Sequence, residues 1–351
     1  MNSRQRLLTA LDGGTPDRLP CSLGFYHQDY ARLAPRGVWE DDWVDVYFVA
    51  FPLSTEEKTL ARVAKPYRSD TRLGTVDQES TYVRWRYNPF STDQRNPLSK
   101  AQSMAEMEDF PFPDVRQPQH DRRLQEQVDD LHARDLAAGG NLPHLGGELF
   151  EAAWRLRGLA NFLEDLILRP EWAHYLLERL TELACRNARA LAMAGIDVLA
   201  LDDDIGMPGS MMISPATWRA FFKPRMGAII QAARSVKPDL RVLYHSDGVF
   251  TPIVGDLVEI GVNAINPLQP EHMDPASIRR QFGPELALWG TVGRQTAFSF
   301  NSPVDIRSEV QTRIETLGRA GLILCPAYDI DEPDIPWANV EAFLTAVREL
   351  G

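Results

Sequence analysis

Arg241-Val-Leu-Tyr-His-Ser-Asp-Gly-Val-Phe-Thr-Pro-Ile-Val-Gly-Asp-Leu-Val-Glu-Ile-Gly-Val-Asn-Ala-Ile-Asn-Pro-Leu-Gln269 holds a complete strand–helix–strand unit. Arg241–Tyr244 is a short apolar run, Phe250–Ile260 has a helical period, and Ala264–Ile265 is apolar again. Two such strands joined by a helix run parallel, which makes the unit the building block of a parallel α/β fold. From about residue 120 onward the same alternation continues. Further strands are predicted at Leu142–Leu145, Val198–Leu201, Leu286–Trp289 and Leu322–Leu324, with helices at Trp172–Ala194, Pro215–Ser235 and Pro303–Leu317. Ser214-Pro215, Asp274-Pro275 and Ser302-Pro303 each place a capping side chain before a proline in the first helical turn.

Working back toward residue 1 adds two strand candidates, Leu19–Phe25 and Thr81–Tyr87, which bring the count to eight. Eight alternating strands predict a (β/α)8 TIM barrel. A helix over Ser3–Leu11, capped by Ser3 and closed by Gly13-Gly14, precedes the first of them. Residues 27–130 are irregular, and Asp109-Phe-Pro-Phe-Pro-Asp114 reads as an extended connector. With no repeat or low-complexity tract, residues 1–351 are expected to form one barrel domain.

The formal net charge of −12 argues against nucleic acid or an anionic membrane as partner. Three widely spaced cysteines (Cys21, Cys185, Cys325) give no disulfide framework and suit a reducing, cytoplasmic compartment. Met1 to Leu11 is polar and amphipathic, without the apolar core of a signal peptide, and no apolar run nears the roughly 18 residues of a membrane span.

Each late strand ends in a polar or glycine-rich burst: Gly146-Gly-Glu148, Asp202-Asp-Asp204, His245-Ser-Asp247-Gly248, Asn266-Pro-Leu-Gln269, Gly290-Thr-Val-Gly293 and Cys325-Pro-Ala-Tyr328-Asp329. One such burst is a turn; six at the same ends of successive strands mark the rim where barrel enzymes keep their chemistry. Residues two apart on a strand share a face, so His245 and Asp247 point together, as do Asp202 and Asp204, while Asp203 faces away. His245 and Asp247 fit three uses: two ligands of a divalent metal, an acid/base pair, or a histidine bonded to a neighbouring strand beside a helix-capping aspartate. Three adjacent carboxylates are costly together, which implies a protonated member or a nearby cation or donor. Cys325 ends an apolar strand as a small hydrophobe, and Glu151 with Arg155 reads as an i,i+4 ion pair.

The run 241–269 resembles the uroporphyrinogen decarboxylase superfamily. So do Ile213-Ser-Pro-Ala-Thr-Trp-Arg-Ala-Phe-Phe-Lys-Pro224, Leu288-Trp-Gly-Thr291, Leu322-Ile-Leu-Cys-Pro-Ala-Tyr328 and Thr15-Pro-Asp-Arg-Leu-Pro20. The likeness is strong over about 190–350 and thin between 27 and 130, and it implies the same (β/α)8 barrel. Decarboxylases of that superfamily grip substrate carboxylates with an arginine-rich loop, whereas Cys21-Ser-Leu-Gly-Phe-Tyr-His27 has no arginine. The methyltransferase-like branch, which serves corrinoid proteins, holds zinc with a His-x-Cys motif and a later Cys or His. His245 matches the first ligand, while Asp247 and Tyr328 stand in the other two positions as harder oxygen donors.

The resemblance therefore implies methyl transfer or demethylation of a small molecule. His245, Asp247 and Asp204 would form the chemical centre, and Glu148, Asp202, Asn266, Gln269 and Tyr328 would bind substrate. A divalent metal, zinc by resemblance, would sit on His245, Asp247 and Tyr328. A corrinoid protein as partner and a homodimer are further implications. The alternatives are a metal-free decarboxylase or lyase on the same barrel, and a barrel that only binds a small ligand.

Overall fold

The strand–helix alternation is realised as seven parallel strands in chain order: β1 (Val46–Val49), β2 (Ala137–Asn141), β3 (Val198–Asp202), β4 (Arg241–His245), β5 (Ala264–Asn266), β6 (Ala287–Val292) and β7 (Leu322–Pro326). The structure is a computed structural model that describes residues 1–24, 43–49, 51, 96–110, 112, 121–142, 147–293, 302–327 and 335–351. The strand candidate Thr81–Tyr87 lies outside those residues. Of the expected first strand, Leu19–Phe25, the described residues 19–24 form a single parallel bridge between Cys21 and Leu324. Leu324 donates its backbone N–H to Pro20 and Ser22 donates to Leu324, while on the other side Asp45 donates to Cys21. This short segment thus touches both β7 and the residue that precedes β1.

The described helices are α1 (Ser3–Leu11), α2 (Met104–Glu108), α3 (Arg122–Ala133), α4 (Phe150–Arg157), α5 (Leu159–Leu168) and α6 (Pro170–Ala194). They continue with α7 (Pro215–Phe221), α8 (Lys223–Arg234), α9 (Val254–Glu259), α10 (Pro275–Phe282), α11 (Pro303–Leu317) and α12 (Trp337–Leu350). None of them is long and apolar enough to cross a membrane.

Three local expectations are corrected, and one strand was not anticipated. The cap of α1 is Asn2 rather than Ser3, because Asn2 accepts from the Gln5 N–H while the Gln5 side chain accepts from the Asn2 N–H. The helix expected over Pro215–Ser235 breaks at Phe222, since Pro224 in the first turn of α8 has no N–H with which to continue α7. The helix expected over Phe250–Ile260 opens as a 3-10 turn, Thr251–Ile253, before α9 begins. The second strand is Ala137–Asn141, while residues 143–145 of the expected strand Leu142–Leu145 lie outside the described residues. Its Ala-Ala-Gly-Gly-Asn sequence lacks the branched residues that usually mark a strand. The small residues make room for the Phe48 ring, which would lie 2.5 Å from a Cβ at Gly139.

Strand side chains alternate between two buried surroundings, as expected of a parallel sheet covered on both faces. Val198, Ala200, Leu243, Trp289 and Ile323 share a cluster with Leu7, Ala10 and Leu11 of α1. Leu199, Leu201 and Val242 face the packed helices instead. Helix α1 covers the N-terminal strand ends, where Arg4 pairs with the buried Asp197 at 2.9 Å.

The start of β1 is clasped by charge. Asp45, with no exposed side-chain surface, accepts from Arg6 (2.9 Å), from Arg18 (2.8 and 2.9 Å) and from the Cys21 N–H (2.8 Å). Around this end lies a hollow of about 450 Å³ lined in part by Arg6, Arg18, Arg134 and Arg348.

Candidate functional site

Asp202, His245 and Asn266 are the last residues of β3, β4 and β5, and the parallel ladder sets them side by side in one row. His245 Nδ1 lies 2.6 Å from Asn266 Oδ1, and Asn266 Nδ2 donates to the Trp289 carbonyl at 3.2 Å. The second bond orients the amide so that its oxygen faces the ring. A carbonyl oxygen only accepts, so Nδ1 carries a proton, and it is Nε2 whose lone pair is available to a ligand in the uncharged ring. That nitrogen is 4.0 Å from Asp202 Oδ1 and 3.8 Å from Asp204 Oδ1. The three ligand atoms all lie within 4.8 Å of one another.

Asp203 faces away from this group, in accord with the two-residue alternation. Its carboxylate accepts the N–H groups of Phe150 (3.0 Å) and Glu151 (3.1 Å) and so fixes the start of α4. That capping brings two glutamates of the same segment to the strand ends. Glu148 is almost fully buried; its Oε2 accepts the Asp202 N–H at 2.6 Å and its own N–H donates to the Asp202 carbonyl at 2.8 Å. Glu148 Oε1 is buried without a hydrogen-bond partner. Glu151 lies in the first turn of α4, bonded to Arg155 at 3.1 Å.

Glu148, Glu151, Asp202, Asp203, Asp204 and Asp247 thus gather at one end of the sheet, and their electrostatics show the crowding. Burial, then Asp202 and Asp203, holds the Glu148 carboxyl well above the usual carboxylate range. Burial also raises Asp202, with Asp204, Glu151, Asp203 and Asp247 adding to it. Asp203 is raised by burial to about 7 although two N–H groups favour its charge. Glu151 is pushed up to about 8, by burial first and then by Asp204, against the pull of Arg155.

The remaining candidates divide. Asp247 is joined to the same network by its backbone, whose N–H donates to Asp204 Oδ1 at 2.7 Å. Its Oδ1 accepts from Gln269 Nε2 at 2.9 Å, and Gln269 Oε1 accepts from the Gly248 N–H at 2.8 Å. The metal-like group is therefore Asp202, Asp204 and His245, with the Asp247 carboxylate held by Gln269 beside it. Tyr328 and His27 lie outside the described residues. Thr291, at the end of β6, has φ +82° and a buried Oγ1 without a partner, a strained conformation for a β-branched residue. Cys325 is fully buried in the strand interior.

Sequence reasoning did not place Glu151 in this group. The ion pair it suggested with Arg155 is present, but its approach to Asp204 depends on Asp203 reaching across to cap α4, and local spacing carries no sign of that.

A parallel α/β sheet with its polar side chains gathered at the C-terminal strand ends is the general frame of an α/β enzyme of the barrel type. The family model for Uroporphyrinogen decarboxylase (URO-D) matches residues 148–350, from Glu148 to the last residue of α12, and the chain belongs to that family.

Among its relatives, the Methylcobamide:CoM methyltransferase MtaA of Methanosarcina barkeri is 26% identical over 215 residues, 60% of this chain and 59% of that protein. The Uroporphyrinogen decarboxylase of Thermus thermophilus is 28% identical over 179 residues, 50% of this chain and 48% of the other. The chain therefore spans about half to three fifths of the length of these relatives. A solved methyltransferase from Methanosarcina mazei shares the fold, with a TM-score of 0.64, 16% identity and 99% of each chain covered.

Proposed function

We propose that the chain is a small-molecule enzyme that carries out methyl transfer or demethylation at a divalent-metal site, formed by Asp202, Asp204 and His245, at the mouth of a (β/α)8 barrel. In this reading Pro20–Ser22, bonded to both β7 and Asp45, takes the eighth position of the barrel. The observation that carries the reading is the His245 ring. Asn266 holds its proton at Nδ1 and leaves Nε2 facing two carboxylates, the arrangement in which metal-binding histidines are set.

The donor set, two carboxylate oxygens and one imidazole nitrogen, suits a divalent cation. Donors about 2.0–2.1 Å from a tetrahedral zinc lie roughly 3.4 Å apart. The separations of 3.8 and 4.0 Å here therefore need only a small inward lean. When bound, a divalent ion supplies a Lewis acid that lowers the pKa of an incoming thiol, hydroxyl or water. Asp247 and Gln269 border the substrate space, and Glu151, protonated in part at neutral pH, is the group placed to exchange a proton there. Support for methyl transfer comes from the relative named for that reaction, and a corrinoid protein is the partner that relative's name suggests.

Decarboxylation is the second reading, because buried carboxyls held above their usual range are proton donors and a relative carries that activity in its name. Against it stands the sequence Cys21–His27, which carries no arginine with which to grip a substrate carboxylate.

Elemental analysis of protein purified without chelators tests the proposal. About one divalent ion per chain is expected, with affinity falling at least about tenfold in Asp204→Asn and in His245→Ala. Failure to bind any divalent ion, as purified or on addition, overturns the metal-assisted reading.

A further inference from the structure

Asp202 ends β3 and is placed by the ladder, whereas Asp204 lies beyond the last residue of that strand. Hydrogen bonds continue past the strand ends between the loops that follow β3 and β4. Asp203 donates its N–H to the His245 carbonyl at 3.1 Å, and Ile205 donates to Ser246 Oγ at 3.0 Å. In the other direction Asp247 donates to Asp204 Oδ1 at 2.7 Å, and Val249 donates to the Met207 carbonyl at 2.9 Å. Ser246 Oγ and Asp204 Oδ1 thus stand where a strand would offer carbonyl oxygens, and the ladder runs on with side chains in its rungs. The first loop is folded on itself by an antiparallel bridge between Gly206 and Met211, with Met212 donating to the Ile205 carbonyl at 2.8 Å.

Two glycines face each other at the centre of this join. A Cβ on Gly206 would lie 2.2 Å from the Asp247 carbonyl oxygen, 2.7 Å from the Val249 nitrogen and 2.8 Å from the Gly248 carbonyl carbon. A Cβ on Gly248 would lie 2.7 Å from both the nitrogen and the oxygen of Met207 and 2.8 Å from the Gly206 carbonyl carbon, and Gly248 has φ +72° besides. Every atom met is backbone, which cannot swing aside as a side chain does. Non-bonded heavy atoms settle about 3.5 Å apart, so a methyl group on Gly206 parts the two loops by about 1 Å. That takes the 2.7 Å bond from Asp247 to Asp204 past the range of a hydrogen bond. We infer that Gly206 and Gly248 are positioning residues: their close approach fixes Asp204 Oδ1 beside His245 by way of the Asp247 N–H. The inference rests on the proposed metal site and deepens it. A carboxylate oxygen has two lone pairs, so Oδ1 can keep the Asp247 N–H on one and offer the other to an ion.

The test is a double-mutant cycle in zinc affinity, measured on the full chain by competition with a chromophoric chelator. Gly206→Ala is expected to lose about tenfold or more, as does Asp204→Asn. The double variant should fall no more than about twofold below Asp204→Asn alone, because a ligand already removed cannot be displaced again. A generally loosened fold would weaken the ion's hold whether or not Asp204 is present, so this lack of additivity separates positioning from stability. Gly209→Ala, in the exposed turn of the same loop, would meet no atom within 4 Å among the described residues and should bind as wild type does. Should Gly206→Ala not fold, Ser246→Ala takes its place: it removes the acceptor of the Ile205 N–H without adding volume, and its smaller loss should likewise vanish in the Asp204→Asn background. Additive losses, or wild-type affinity in the variant used, overturn the inference.

Hydrogen exchange at the Asp247 amide, followed in chelator, reads the join without any metal. It should be at least about tenfold faster in Gly206→Ala, or in Ser246→Ala where that variant stands in, and unchanged in Gly209→Ala. The two readings therefore fail separately. Zinc that binds to wild type with additive losses in the cycle leaves the metal site standing without the glycine lock. Wild type that binds no divalent ion, while the substitution still speeds exchange at Asp247, leaves the lock on Asp204 standing without the metal. Exchange at Asp247 that the substitution does not change overturns the lock in either case.

Discussion

Glu151→Gln measures how much the crowded carboxylates destabilise the folded chain. Glu151 is 7% exposed, and its carboxyl lies near Asp203 and Asp204, bonds Arg155, and is raised to about 8 from an ordinary 4.5. For an acid raised by folding, the folded chain holds a proton that the unfolded chain has already lost between those two pH values. Stability therefore falls as pH rises from about 4.5 to about 8 and levels off above that. The whole interval corresponds to roughly 5 kcal/mol, and relaxation of the neighbours reduces this to about 2–3 kcal/mol. Glutamine keeps the shape and an oxygen for Arg155 but cannot ionise. Below about pH 8 the folded glutamate is mostly protonated and the substitution removes no charge from that pair, while at higher pH the lost attraction to Arg155 offsets about 1 kcal/mol of the gain. The variant should thus match wild type or fall slightly below it near pH 5, and exceed it by about 1–2 kcal/mol near pH 9. Urea unfolding in chelator at both pH values reads the difference directly. Unfolding curves offset by the same amount at both would show that Glu151 ionises freely and that the crowding is relieved elsewhere.

Three further outcomes follow from the packing. Asp45→Asn weakens the clasp on Arg6, Arg18 and Cys21 and should cost about 3–5 kcal/mol in urea unfolding, because buried guanidinium charge loses its partner. Asn266→Leu should lower divalent-metal affinity about 10- to 100-fold with the circular dichroism spectrum unchanged, and Asn266→Asp, which still accepts from Nδ1, should restore most of it. Gly139→Val drives a side chain into the Phe48 ring and should cost about 2–4 kcal/mol, part of which Phe48→Leu recovers in the double variant by thermal denaturation.

Much of the second half of the fold was legible because its strands and helices announce themselves in hydrophobic period and capping. The starts at Val198, Arg241, Ala264 and Leu322 are the strand starts observed, and the helix over Pro303–Leu317 has the same two ends in sequence and structure. The first half was not, for two physical reasons. β1 is four residues inside an irregular, aromatic-rich stretch, and β2 is built of small residues chosen to admit Phe48 rather than to pack by themselves.

At the candidate site, which residues lie at strand ends was readable, and so was the outward turn of Asp203. Which of them meet was not. The approach of Asp204 to His245 is set by the cross-strand register, the hold of Gln269 on Asp247 by loop conformation, and the place of Glu151 by a cap from a distant strand.

The row formed by Asp202, His245 and Asn266 also says something about how such a site can change. Backbone hydrogen bonding keeps neighbouring strands about 4.7–4.9 Å apart whatever their side chains. Residues that end adjacent strands in register therefore arrive at that pitch before any rotamer is selected, and a lean of under an ångström brings His245 and Asp202 to 4.0 Å. The ladder works as a ruler, and the side chains are interchangeable markings on it. A carboxylate, an imidazole or an amide substituted in that row alters charge and hardness while the spacing persists, so ligand preference can drift over evolutionary time without the frame being rebuilt.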